Sequence, residues 1–173
     1  MKMLTLVTRG LKRTQRLLVV LVEALAGLLL MAMVVVVFAG VLDRFVLGIG
    51  FPWPEELSRF LLIWLSFLSA ALAVTNQSHY VLDYVYKRML GPFGQTVIGG
   101  LFANAVSLLT AVVLMVKGAD LATRVSWQGA PAMEISMSWI YAALPVSLGL
   151  ISLFHFTEML DLLTGLSRKR KVS

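Results

Sequence analysis

The chain contains no cysteine, which excludes disulfides, thiolate metal sites and cysteine nucleophiles but carries no information about compartment. Histidine is scarce. Only His79 and His155 occur, so a bis-histidine haem would need both, and His79 falls in a loop segment. Charge is scarce as well: 14% of the 173 residues are charged, 9 of them acidic against 15 basic. There is no glycine-rich phosphate loop, no Ser/His/Asp set with workable spacing and no metal-ligand pattern. An enzyme is therefore not expected, nor a cofactor or a resident metal. No low-complexity segment or internal repeat is present, so an inverted-repeat carrier is not supported.

What the chain has instead is apolar surface. Hydrophobic residues make up 59% of it, more than a soluble domain of this size can hide. Several runs approach the ~20 residues needed to cross a bilayer. The expected fold is all-α, a single membrane domain over 1–173, with four transmembrane helices at about 17–42, 54–75, 95–116 and 135–156. The first apolar run is too long for the core of a cleaved signal peptide and reads as a retained span.

Charge placement gives the expected orientation. Four spans put both tails and the 76–94 loop on one face, with Lys2, Arg9, Lys12, Arg13, Arg16, Lys87, Arg88 and Arg168 to Lys171. The opposite loops hold Arg44, Lys117 and Arg124. This asymmetry places both termini in the cytoplasm. It also accounts for the net charge of +6 through contact with the lipid bilayer, with no need for nucleic acid.

Between spans two and three, Val81, Leu82, Val85 and Met89 recur at helical spacing, while His79, Asp83, Lys87 and Arg88 take much of the other face. The segment is too short to span, and a helix over 79–90 lying in the interface is expected, with His79 and Asp83 four apart on one face. Gly91-Pro92 stops it.

A few polar groups fall inside the spans. Glu23 is two turns into the first and has two readings. It is either an intramembrane proton or ion site, or an interfacial carboxylate paired with Arg16. Asn104 reads as helix-packing glue, and Ser66, Ser69, Ala70 and Ala73 as a small face for close approach. Pro145 predicts a kink, since its ring leaves the carbonyl of Tyr141 without its usual donor. Trp53 and Trp139 read as interfacial belt residues.

The most informative stretch is Phe51-Pro52-Trp53-Pro54-Glu55-Glu56-Leu57-Ser58-Arg59-Phe60. Pro54 suits a first helical turn, and Glu55 and Glu56 follow at the positive end of the helix dipole. Arg59 can reach either glutamate. Three charges at the mouth of a hydrophobic helix are costly unless they stay at the interface or find partners. Arg44, Trp53, Glu55, Glu56 and Arg59 are therefore the candidate outer polar cluster. One role is internal, tying span one to span two and favoured for Arg59; the other is contact with a partner protein.

Arg44-Phe45, Trp53-Pro54-Glu55-Glu56-Leu57-Ser58-Arg59, Leu62-Ile63-Trp64-Leu65, His79 with Asp83, and the run from Pro131 to Val146 together resemble the small membrane subunit of tripartite ATP-independent periplasmic (TRAP) transporters, the DctQ-like family. Ser69 departs from a glycine often expected there. The resemblance implies an accessory permease subunit in the bacterial inner membrane. Its implied partners are a large multi-span TRAP subunit that carries substrate and sodium, and a periplasmic substrate-binding protein that delivers an organic acid. This chain would brace the large subunit and help dock the binding protein. The competing reading is a self-sufficient oligomeric proton-coupled exporter using Glu23.

Overall fold

The computed structural model describes the backbone of residues 2–77 and 102–169, and the side chains of residues 14–75 and 102–160. The expected interfacial helix over 79–90, with His79 and Asp83, lies outside the described residues, as does the expected start of span three.

The described chain is all-α. Helix α1 runs Lys2–Leu42 and passes into a π-helical turn, Asp43–Leu47. Helix α2 is Trp53–Gln77, α3 is Ala103–Arg124, α4 is the single turn Ser138–Tyr141, and α5 is Ala143–Lys169. Four stretches are long and apolar enough to cross a membrane: Thr14–Leu47, Trp53–Thr75, Ala103–Arg124 and Ser138–Leu160. Among the described residues the one extended pairing is an isolated antiparallel bridge, Gly129 to Ser136.

Two expected boundaries move. Span three does not end at Val116 but continues to Arg124. Lys117 and Gly118, expected in a loop, are helical, and the Asp120–Arg124 pair at 3.0 Å, four residues apart, carries the last turn into the polar region. Span four does not start at residue 135. Residues 135–137 belong to the preceding hairpin, and the helix begins at Ser138.

The last span is the hub, packing against each of the other three. The share of each apolar window buried within the protein runs from 6% in the first span to 28% in the last, so α1 leaves most of its surface for lipid or another protein. Small residues set the closest approaches. A Cβ on Gly118 would sit 3.0 Å from Leu144 Cδ2 and 3.3 Å from Pro145 Cδ, and one on Gly40 would sit 3.2 Å from Pro54 Cβ. Without lipid-excluding hydrophobic force between helices, such close packing holds the bundle.

The proline in span four acts differently from a mid-helix kink. The helical turn ends at Tyr141 and the next helix starts at Ala143, so Pro145 occupies the first turn of α5, where its missing N–H is tolerated. Ala142, between the two, keeps φ −63 and ψ −22, the dihedrals of a tightened turn. The Trp64 indole N–H donates to the Trp139 carbonyl at 3.2 Å, a neighbouring helix serving backbone beside the discontinuity.

At the opposite end of the bundle from this turn, Thr157 Oγ donates to Gln15 Oε1 at 2.8 Å, joining α5 to α1. His155 Nδ1 and Asn104 Oδ1 are hydrogen-bonded, so the span-three amide does join a neighbouring helix.

Enlarging Gly118 tests the packing. Gly118→Val is expected to destabilise the purified chain by about 1–3 kcal/mol, seen as a lower midpoint of unfolding in mixed detergent and denaturant.

Candidate functional site: the polar rim

Residues 43–56 and 120–138 gather at one end of the bundle and hold most of the irregular backbone among the described residues. On the α1–α2 side, Asp43 organises the turn. Its carbonyl accepts from Gly48 N–H at 2.7 Å, and its Oδ2 accepts from Phe51 N–H at 2.8 Å. Gly48 at φ +66 and Gly50 at φ +77 supply left-handed backbone, which a side chain would resist. Asp43 is 5% exposed, so one side chain closes the connection from α1 to α2.

On the α3–α4 side, residues 125–137 fold back on themselves. Ala130 N–H donates to Ile135 O and Met137 N–H to Gln128 O, both at 2.8 Å, and Glu134 N–H donates to Ala130 O at 3.0 Å. Ser136 Oγ donates to Ser126 O at 2.8 Å. Glu134 has φ +53, an uncommon value for a residue with a side chain, and Ala130 is buried beneath the loop.

Glu56 joins the two halves. Its Oε2 accepts from Ala132 N–H at 2.7 Å, across 76 residues of sequence. A carboxylate acceptor makes this a charge-assisted bond, shorter and stronger than a neutral one. It fixes the hairpin over the start of α2.

Glu55 takes the other role. Its Oε1 pairs with Arg59 Nη2 at 2.9 Å, with side chains 81% and 71% exposed. Exposed pairs of this spacing add at most a few tenths of a kcal/mol, so the pair is a charged surface feature rather than a structural tie. The expected internal role of Arg59 is corrected accordingly: among the described residues it bonds within its own helix and not to span one. Arg44 is exposed and makes no hydrogen bond or ion pair among the described residues. The α1–α2 connection depends on Asp43 and on the Gly40–Pro54 contact. Sequence reasoning passed over Asp43, although an acid just ahead of Gly48-Ile49-Gly50 is the available signal.

Two open clefts flank the rim. One, about 610 Å³, lies between the ends of α1 and α2 and is lined by Asp43, Arg44, Phe51, Glu55 and Ser58. The other, about 570 Å³, is apolar below, with Phe60, Ile63, Phe67 and Leu144, and has Glu56 and Arg59 at its edge. Trp53 and Trp139, the expected belt residues, stand on the same end at 38% and 70% exposure, and Trp127 of the hairpin is 80% exposed beside them.

Glu23 is away from this rim. It is exposed on α1, and the expected pair with Arg16 is not formed. The buried polar residues among those described are Asp43, Asn104, Ser147 and Thr157; a carboxylate site within the bundle, as the exporter reading requires, is not where Glu23 lies.

Glu56 makes a separable prediction. Glu56→Ala should speed hydrogen exchange at the Ala132 amide and expose the 125–137 loop to proteolysis, while Glu55→Ala leaves both unchanged.

Against known proteins, residues 33–165 match the family described as "Tripartite ATP-independent periplasmic transporters, DctQ component". A TRAP transporter small permease protein of Haemophilus influenzae is 29% identical over 140 residues, covering 80% of this chain and 85% of the relative. The isethionate TRAP transporter permease protein DctMQ of Oleidesulfovibrio alaskensis is 29% identical over 102 residues, 58% of this chain but 16% of that protein. The sialic acid TRAP transporter permease protein SiaT of Haemophilus influenzae is 27% identical over 139 residues, 79% of this chain and 22% of that protein. The chain thus spans nearly all of one relative and under a quarter of two much longer ones.

Proposed function

Because the chain belongs to the DctQ component family of the tripartite ATP-independent periplasmic transporters, a multi-pass inner-membrane transport subunit and not an enzyme, we propose that it is the small permease subunit of a sodium-coupled, binding-protein-dependent carrier of organic acids. It braces a large membrane subunit and presents its polar rim to the periplasmic binding protein.

The observation that carries this reading is the division of polar groups. Apart from Asp43 in the rim turn, the buried residues among those described are apolar or small, such as Leu68, Ala71, Ala143 and Phe154, with Asn104, Ser147 and Thr157; the half-buried pair His155–Glu158 is confined to the end opposite the rim. Such an interior packs helices together; it lacks the stacked ionisable groups that mark an ion or solute path. Support for a large partner comes from the two long relatives, named as permease proteins of isethionate and sialic acid TRAP transporters. Both names denote acids, which supports an organic-acid solute here.

The rim faces the periplasm in this reading and both termini face the cytoplasm, because the basic residues concentrate at the other end. Within the rim, Glu56 shapes the surface through Ala132, while Glu55, Arg59 and Arg44 stay solvated and free to meet another protein. Charges of this kind steer encounter and set register more than they add affinity.

Reconstitution tests the proposal. Liposomes with this chain alone should take up no solute. Liposomes with both membrane subunits and the binding protein should take up the organic acid only under an inward sodium gradient. Uptake by the chain alone would overturn it. Glu55→Lys should raise the binding-protein concentration needed for half-maximal uptake several-fold, at unchanged recovery of the membrane complex; unchanged binding-protein dependence would remove Glu55 from the docking surface.

A further inference from the structure

Glu23 is the one carboxylate in the described spans that faces outward from the apolar part of the bundle. It makes no hydrogen bond or ion pair among the described residues, and it is exposed, as is Arg16 two turns back. Its depth follows from helix geometry. Gly40 packs against Pro54 in the first turn of α2. Glu23 is seventeen residues before Gly40, about 25 Å along the axis. The apolar stretch of α2 reaches Thr75, about 32 Å from Pro54. The carboxylate therefore sits inside the level at which α2 leaves the apolar belt. An ionised carboxylate there is costly if lipid alone surrounds it.

The surroundings of Glu23 form a helix-packing stripe. Arg16, Val20, Glu23, Gly27, Leu30 and Val34 follow one another at alternating intervals of four and three residues, the spacing that interlocks with a neighbour crossing at about 20°. Val20, Leu30 and Val34 are 56%, 46% and 56% exposed. A Cβ on Gly27 would meet nothing within 4 Å, so the stripe has an open notch one turn from the carboxylate. Notches of this kind let helix backbones come close in membranes. The exposed face of α3 differs. Thr110 Oγ donates to Val106 O and Arg124 pairs with Asp120, and its one charge without a partner among the described residues is the exposed cation Lys117, two turns from the rim end of the helix.

We propose that this stripe of α1 seats a helix of the large membrane subunit, with Glu23 meeting a basic or hydrogen-bond-donating side chain on that helix. The inference rests on the subunit role proposed above and adds the face and the contact. Charge selects the occupant. Two copies of this chain share one orientation in the bilayer, and a symmetric pair on this stripe would bring Glu23 against Glu23, a like-charge contact. The long relatives carry a permease several times the length of this chain's match to them, which supports the other occupant.

The test uses the full chain co-expressed with its large subunit. A photoreactive benzoylphenylalanine at Leu30 or Val34 should give adducts with the large subunit. At Leu21 or Leu28, exposed on the other flank of α1, it should not. Glu23→Lys should lower recovery of the pair about tenfold at unchanged membrane level, and Glu23→Gln should lower it less. Adducts only from Leu21 or Leu28, adducts joining two copies of this chain, or no adduct from Leu30 and Val34 while the pair copurifies would each overturn the assignment and leave the subunit role standing. Failure of the unsubstituted chain to copurify with the large subunit would remove both.

Discussion

In a hydrocarbon environment every backbone amide and carbonyl must find its partner inside the protein. That constraint sorts the structure. Regular helix fills the apolar belt, and the described irregular turns gather beyond its end, where Asp43, Glu56 and backbone bonds complete them. The π-helical turn, the left-handed glycines and the 125–137 hairpin occur where water and headgroups are within reach. The one discontinuity deeper in the bundle, at Ala142, costs little because the chain tightens there instead of opening and because Trp64 supplies a side-chain donor.

The adjacent glutamates show how position divides labour between identical side chains. Successive residues on a helix point about 100° apart. Glu56 turns toward the hairpin and becomes an acceptor for Ala132; Glu55 turns to solvent and finds only Arg59. A single surface therefore combines a fixed loop and a free charged pair. The shape of the rim is set by the half-buried member and its charge is presented by the exposed one, so the two properties can be altered separately.

The span count was legible because hydrophobic length is a local property of sequence. The boundaries were less so. Lys117 and Gly118 look like loop residues, but Gly118 is helical because α3 needs a residue without a Cβ against Leu144 and Pro145. That requirement comes from a helix met later in the chain. The rim was legible as a set of charges, since Trp53-Pro54-Glu55-Glu56 announces a helix start at an interface. Which glutamate would be structural was not, because the acceptor role depends on an amide 76 residues away. Arg59 was within reach of both glutamates by spacing alone; the choice of Glu55 over Glu56 follows from Glu56 being taken by Ala132.

The first helix is 41 residues long, about 62 Å at 1.5 Å per residue, roughly twice the ~30 Å of bilayer hydrocarbon. A helix of that length outruns the hydrocarbon like a mast, and its N-terminal part carries Lys2, Arg9, Lys12, Arg13 and Arg16. In the proposed topology, cations in such a segment suit the anionic headgroups of the cytoplasmic leaflet, and the exposed tryptophans of the rim suit the opposite interface. So placed, the bundle would be moored at both surfaces, and a partner subunit bearing on it would meet a post that neither sinks nor rises.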